Sequence, residues 1–268
     1  MKRKPCVAGQ FYPGTRERLR ETIGSMTDPA AARKKALAVV SPHAGYIYSG
    51  GVAGAVFAST VLPPVFVILG PAHREIGSLF AIQTEGSWQT PLGESPIETN
   101  LASRILAACP LVEENERAHL MEHSLEVQLP FIQYFREDAA IVPICVSAEA
   151  GYAELDALGR ALAGAVRAHG DESLIVASTD MSHYVSQKTA EKQDRRAIDK
   201  VLGLDPFGLF TTVIEERISM CGFQPTAAAL VAALALGARR AELVRYATSG
   251  EASGDYTQVV GYAGIRIS

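Results

Sequence analysis

Short apolar runs rich in β-branched residues recur along the whole chain: Leu37–Val40, Val65–Leu69, Ile141–Val146, Leu174–Ala177, Leu243–Tyr246 and Val259–Ile267. Most are continuous rather than alternating. A strand wet on one face alternates, so continuous runs of this length predict strands covered on both faces. Helical patterns lie between them. Gly51–Ser59 is a small-residue segment suited to close packing, and Leu155–Ala168 and Ala190–Leu202 are further helices. Glu122–Phe135 spaces Leu125, Leu129, Ile132 and Phe135 for one helix face, with Pro130 predicting a kink or break inside it. Pro225–Leu236 opens on proline, which suits a first helical turn. Strands alternating with helices predict a three-layer α/β/α fold. No linker, low-complexity segment or internal repeat interrupts the 268 residues, so one domain over 1–268 is expected.

Composition narrows the function classes. The chain is 48% hydrophobic and 20% charged, with a net charge of −4, which argues against a nucleic-acid binder that works by neutralising phosphates. The basic start, Lys2, Arg3 and Lys4, is followed by no apolar stretch of the secretory kind. The longest small-apolar run, Ala227–Ala238, has 12 residues. That is short of the roughly 18 a membrane span needs and predicts a buried helix. Cys6, Cys109, Cys145 and Cys221 form no C-x-x-C pair, and a reduced, cytoplasmic protein is expected. Charge is uneven: residues 1–36 carry nine basic and three acidic side chains, residues 41–130 three basic and nine acidic.

Three of the six histidines stand just beyond buried strands. Leu37–Val40 leads into Ser41-Pro42-His43, Val65–Leu69 into Gly70-Pro71-Ala72-His73, and Leu174–Ala177 into Ser178-Thr179-Asp180-Met181-Ser182-His183. Ligands of open α/β sheets bind in the crevice outside the carboxyl ends of the strands, so a shared site is expected there. Imidazoles on rigid strand ends suit Zn, Cu, Fe or Ni. Cys221 lies just before the Pro225–Leu236 helix, whose N-terminus favours a thiolate that binds metal or attacks carbon. The alternative is a small buried hydrophobe, the commoner fate of a free cysteine. Cys145 reads as strand core.

Two other constellations carry chemistry-bearing residues. His119-Leu-Met-Glu122-His123 satisfies the H-x-x-E-H metalloprotease pattern. It is short, and the charged stretch Glu113–Arg117 beside it predicts a solvated His119. Cys221, His183 and Asp180 would supply the nucleophile, base and orienting carboxylate of a cysteine hydrolase. Asp180 could equally orient a metal-bound histidine. Nucleotide-binding signatures are absent from the sequence.

Ordered motifs span the chain: Ala8-Gly-Gln-Phe-Tyr-Pro13, Pro42-His-Ala-Gly-Tyr46, Leu69-Gly-Pro-Ala-His73, Trp88-Gln-Thr-Pro-Leu-Gly93, Glu122-His-Ser-Leu-Glu-Val-Gln-Leu-Pro-Phe131, Asp180-Met-Ser-His183, Cys221-Gly222 and Ser253–Tyr262. In these the chain resembles the Memo family, related in fold to class III extradiol dioxygenases. The resemblance implies a mixed, largely buried central sheet and a pocket in which His43, His73 and Cys221 bind a metal. Asp180 and His183 would lie beside it, His183 as base. His123 would line the same pocket, as substrate contact or support, or else hydrogen-bond within its own turn. In the dioxygenases two histidines and a glutamate hold Fe(II). Cys221 replaces that glutamate, so iron(II) or copper, with zinc possible, is implied and catechol cleavage is not carried over. The implied function is a metal-dependent oxidoreductase. The alternative is a non-catalytic module that reuses the pocket for a small-molecule or peptide ligand. Radical SAM and AMMECR1-like proteins are the implied partners, with neither nucleic acid nor membrane.

Overall fold

Every residue of Ala38–Ser41 and Val65–Pro71 is buried, as are all but the first of Ala140–Val146 and Ser173–Ser178. Side chains on both faces of these strands are withdrawn from water, as the continuous apolar runs require. The structure, a computed structural model, describes residues 1–170 and 172–268. Its strands are β1 (Lys2–Arg3), β2 (Ala38–Ser41), β3 (Val65–Pro71), β4 (Phe80–Ile82), β5 (Ser87–Thr90), β6 (Gly93–Pro96), β7 (Val112–Glu114), β8 (Ala140–Val146), β9 (Ser173–Ser178), β10 (His183–Val185), β11 (Ala241–Thr248) and β12 (Val259–Ile267). Its helices are α1 (Arg16–Ser25), α2 (Tyr46–Ala58), α3 (Thr99–Ala108), α4 (Leu129–Phe135), α5 (Tyr152–His169), α6 (Gln187–Leu202), α7 (Pro206–Glu215), α8 (Phe223–Leu236) and α9 (Gly250–Ser253).

Among the described residues nine strands form one mixed sheet, in the order β10-β12-β2-β9-β3-β8-β4-β7, with β11 pairing β12. The centre, β2-β9-β3-β8, is parallel, and β12 and β4 join it antiparallel on either side. Helices flank it. α8 crosses β2, β9 and β3 and packs on α5, while α2 covers β2, β11 and β12. A Cβ on Gly54 of α2 would stand 2.3 Å from the Met26 carbonyl oxygen, and one on Gly159 of α5 would stand 2.6 Å from that of Ala228. The small-residue helix packs as its composition predicts. No helix among the described residues is long and apolar enough to cross a membrane, and the Ala227 run continues α8 to Leu236, buried as far as Ala233.

The expected Glu122–Phe135 helix is shorter than its apolar spacing suggests. Residues 122–125 are irregular, Glu126–Gln128 forms a single 3-10 turn, and α4 begins at Leu129. Two causes are visible. The Glu122 carboxylate accepts the Ser124 N–H at 2.7 Å, a local bond that competes with helix formation. Pro130 sits in the first turn of α4, where its missing N–H costs nothing, so it starts this helix rather than kinking it. Two residues of the basic N-terminal segment pair with the acidic middle, Lys2 with Glu94 and Arg3 with Glu126, while Arg20, Lys34 and Lys35 pair with Glu137, Glu242 and Glu172 outside it.

Candidate metal centre

The strand order places the site. β9 lies between β2 and β3, all three are parallel, and His43, Asp180 and His73 follow β2, β9 and β3 at the same edge. With neighbouring strands near 4.8 Å apart, β2 and β3 stand about 10 Å from each other, so their histidines can face across the end of β9. The His43 and His73 rings are 5.3 Å apart and nearly perpendicular. His123, from the irregular segment before α4, stacks on His73 at 4.6 Å and meets His43 edge-on at 5.5 Å. One ring nitrogen of each of His43, His73 and His123 lies within 4.8 Å of the others, a cluster that could hold a metal ion. His123, implied by the family resemblance to line the pocket, belongs to the nitrogen cluster itself.

Hydrogen bonds decide which nitrogen each ring offers. His73 Nδ1 is 3.0 Å from the Glu122 carboxylate, which also accepts the His73 backbone N–H at 2.7 Å. His183 Nδ1 is 2.8 Å from the Ser219 carbonyl oxygen. His43 Nδ1 is 3.0 Å from Ser178 Oγ. A carboxylate and a carbonyl only accept, so Nδ1 of His73 and His183 carries the hydrogen, leaving Nε2 of the neutral ring with a free lone pair. This carboxylate–histidine arrangement is the usual support of a metal-bound imidazole.

Asp180 supports the site from beneath. Its Oδ1 accepts the backbone N–H groups of His43 (2.8 Å) and Ala44 (3.3 Å), and Oδ2 lies 4.0 Å from His43 Nε2. It therefore fixes the turn that carries His43 rather than a histidine ring. The Asp180 N–H points at Cys221 Sγ (3.3 Å), and Sγ lies 3.3 Å from His43 Nε2. The Gly222 N–H is held by Thr179 Oγ1 at 2.9 Å. A Cβ on Gly222 would come within 2.4 Å of the Ser178 carbonyl oxygen. Gly222→Ala is therefore expected to cost about 1–3 kcal/mol by overpacking and to displace Cys221. Denaturant unfolding and the rate of Cys221 modification by a thiol reagent would show both.

Electrostatics refine the roles. Burial, aided by the charges of His123 and His73, holds His43 well below the usual histidine range, so it is neutral. At Glu122 burial acts upward, but the hydrogen bond and charge of His73 and the N–H groups of His73 and Ser124 outweigh it and hold the carboxyl at about 2. His73 is raised, since Glu122 overcomes the effect of burial. Burial, with the Asp180 carboxylate alongside, pushes the Cys221 thiol far up. Of the two readings of Cys221, desolvation in the metal-free fold favours the protonated thiol over the thiolate that a helix N-terminus would favour. The hydrolase constellation is not formed, because Cys221 faces His43 while His183 is bonded to Ser219.

The H-x-x-E-H pattern separates into unrelated parts. His119 ends a 3-10 turn, is fully buried against Trp88 and lies 3.3 Å from Cys145 Sγ through Nδ1. It is a core residue, contrary to the solvated position expected. Cys145 is strand core as read. Glu122 matters as the partner of His73, not of His119. Its sequence signal was its place beside His123.

A sequence profile described as Memo-like protein matches residues 3–266. The chain belongs to the Memo family. It is 40% identical over 279 residues to a MEMO1 family protein of Methanopyrus kandleri, covering 99% of this chain and 98% of that one. It is also 40% identical to a MEMO1 family protein of Methanothermobacter thermautotrophicus, with 98% and 99% covered. The crystal structure of an uncharacterized protein from Escherichia coli K12 superposes with a TM-score of 0.57 at 15% identity, covering 84% of this chain and 98% of that one. That likeness bears on the fold alone. In this Memo-family chain, the histidine cluster draws on three separate motifs, those around His43, His73 and His123.

Proposed function

We propose that the protein is a metal-dependent oxidoreductase whose iron or copper is held by Nε2 of His43 and His73 and by Cys221, which meets His43 Nε2 at 3.3 Å but stands outside the cluster of three ring nitrogens that His123 completes. The observation that carries this is the hydrogen bonding of the rings: His73 Nδ1 is tied to a carboxylate and His43 Nδ1 to a hydroxyl, and both face across the end of β9. The donor set fits the group, since imidazole with a soft thiolate suits iron, copper or zinc. The raised Cys221 thiol fits as well. It is a poor nucleophile when free, and on binding a cation it would release its proton to solvent.

Bound there, the metal would supply one-electron chemistry and open coordination positions. The protein's part is positioning and proton transfer. Glu122 orients His73, and Asp180 fixes the His43 turn. His183, anchored through Nδ1–H to Ser219, keeps Nε2 free to take a proton from a substrate hydroxyl and return it. A cavity of about 730 Å³ opens beside His73, bounded by residues 72–79, Glu113 and residues 147–149; none of His43, His123, His183 or Cys221 lines it.

Anaerobic purification followed by elemental analysis tests this reading. The native protein is expected to carry close to one iron or copper per chain, and His43→Ala, His73→Ala and Cys221→Ser to carry at least tenfold less. Near-zero transition metal in the native protein, unchanged in those variants, would overturn it.

A further inference from the structure

We infer that Ser178 and Gln128 are positioning residues that hold His43 in the tautomer able to bind a metal. The consequence for binding rests on the metal reading above, but the tautomer itself does not. Ser178 Oγ has one hydrogen and two lone pairs. It lies 2.6 Å from the Ser124 carbonyl oxygen, which can only accept, so the hydrogen is spent there. Gln128 Nε2 at 2.8 Å and His43 Nδ1 at 3.0 Å must therefore both donate. The orientation of the Gln128 amide follows in the same way. Its nitrogen is also 2.9 Å from the Pro42 carbonyl oxygen, a contact that an amide oxygen would make repulsive. With the hydrogen fixed on Nδ1, neutral His43 has none on Nε2, the atom that faces Cys221 Sγ.

The network is closed to water: Ser124, Gln128 and Ser178 expose no surface and His43 only 2%. Gln128 Oε1 has no hydrogen-bond partner among the described residues, an unfavourable arrangement for stability alone. The amide is held for its donors. Glu122 fixes the His73 ring with a negative charge, whereas Ser178 fixes His43 with none, so His43 is oriented without further charge in a centre that already holds Asp180 and Glu122. Ser124 serves both rings, giving its N–H to Glu122 and its carbonyl to Ser178.

The test is the tautomer of His43 in the metal-free full chain, read by long-range ¹H–¹⁵N correlation, with the signal assigned by its loss in His43→Gln. The wild type and Ser178→Thr, which keeps the hydroxyl, are expected to show Nδ1–H, and Ser178→Ala to lose that preference. Nε2–H in the wild type, or unchanged Nδ1–H in Ser178→Ala, would overturn the inference. Titration with Zn²⁺ alone provides the second readout. Ser178→Ala is expected to bind about 10–100-fold more weakly, with recovery in Ser178→Thr. Gln128→Leu is expected to change both readouts in the same direction by less, and no change in either removes Gln128 from the assignment. If the wild type binds Zn²⁺ and Ser178→Ala binds it equally well, the inference fails. If the wild type binds no metal at all, the metal reading fails, and the tautomer measurement decides this inference by itself.

Discussion

Arg3→Ala is expected to destabilise the fold by about 3–5 kcal/mol, because it strands a buried carboxylate. Arg3 is 1% exposed and Glu126 fully buried, 2.7 Å apart. The five N–H groups of the guanidinium face five acceptors: Nε bonds the His119 carbonyl, Nη1 the Lys4 carbonyl and Glu126, and Nη2 the Glu122 carbonyl and Cys6 Sγ. The plane also lies 4.2 Å over the Trp88 ring. Glu126 in turn accepts from the Cys6 and Val7 N–H groups and the Tyr12 hydroxyl. For a chain of this size the loss corresponds to a fall in melting temperature on the order of 10 °C. Arg3→Lys is expected to restore only part, since an ammonium cannot reproduce the fork. Arg3→Ala combined with Glu126→Gln is expected to cost less than the sum of the two, because the second change removes the stranded charge. Calorimetry and denaturant unfolding of the four proteins would check this, and strict additivity would refute it. Two of the lost bonds hold the segment carrying Glu122 and His123, so metal affinity should fall with stability.

The second large effect is at Glu122. Its carboxyl sits near 4.5 in the unfolded chain and at about 2 in the fold, so the metal-free protein gains about 3 kcal/mol from it at neutral pH. The sign follows from the depressed value: this stability is complete above pH 4.5 and is lost as pH falls toward 2. His73 is raised by the same contact, so its contribution is present below pH 6.5 and is lost as pH rises through its folded value. The two shifts describe one interaction and are not added. Glu122→Gln is expected to lose about 3 kcal/mol at pH 7 and to flatten the acid limb of stability against pH. Urea unfolding of metal-free protein between pH 7 and 3 measures both, and an unchanged acid limb would contradict the assignment.

How much of this was legible in the sequence depends on the kind of residue. The central strands were legible because burial on both faces leaves an uninterrupted apolar run. β3 and β9 extend past those runs because Gly70, Pro71 and Ser178 continue the pairing without the large or β-branched apolar side chains that mark a strand in sequence. Helices α1, α3 and α7 carry too weak an apolar pattern to be read, since they bury only Leu19 and Ile23, then Leu101, Ala102 and Ile105, then Gly208, Leu209 and Val213. His43, His73, Asp180 and His183 could be read because a buried strand points the turn after it at a known edge. The partnership of Glu122 with His73 could not, because it comes from irregular backbone held by Arg3 from far along the chain. Cys221 shows the remaining limit. Its place before a helix was visible, but the surrounding desolvation, which decides its protonation, exists only after folding.

The position of β9 between β2 and β3 also orders events during synthesis. β3 can pair with β8 once residue 146 has emerged, but both sheet neighbours of β2, β9 and β12, lie further toward the C-terminus. Until β9 is made, β2 has no strand beside it, and His43 has neither Asp180 nor Ser178 to hold its turn. A partly synthesised chain thus carries an open sheet edge, the hazard of late, non-local pairing. The His73 and His123 half of the cluster belongs to the part that can form early, and His43 joins it only when β9 slides in. A nascent chain that has not passed this step carries half of the histidine cluster, and all three rings come together only in a protein whose central sheet is already closed.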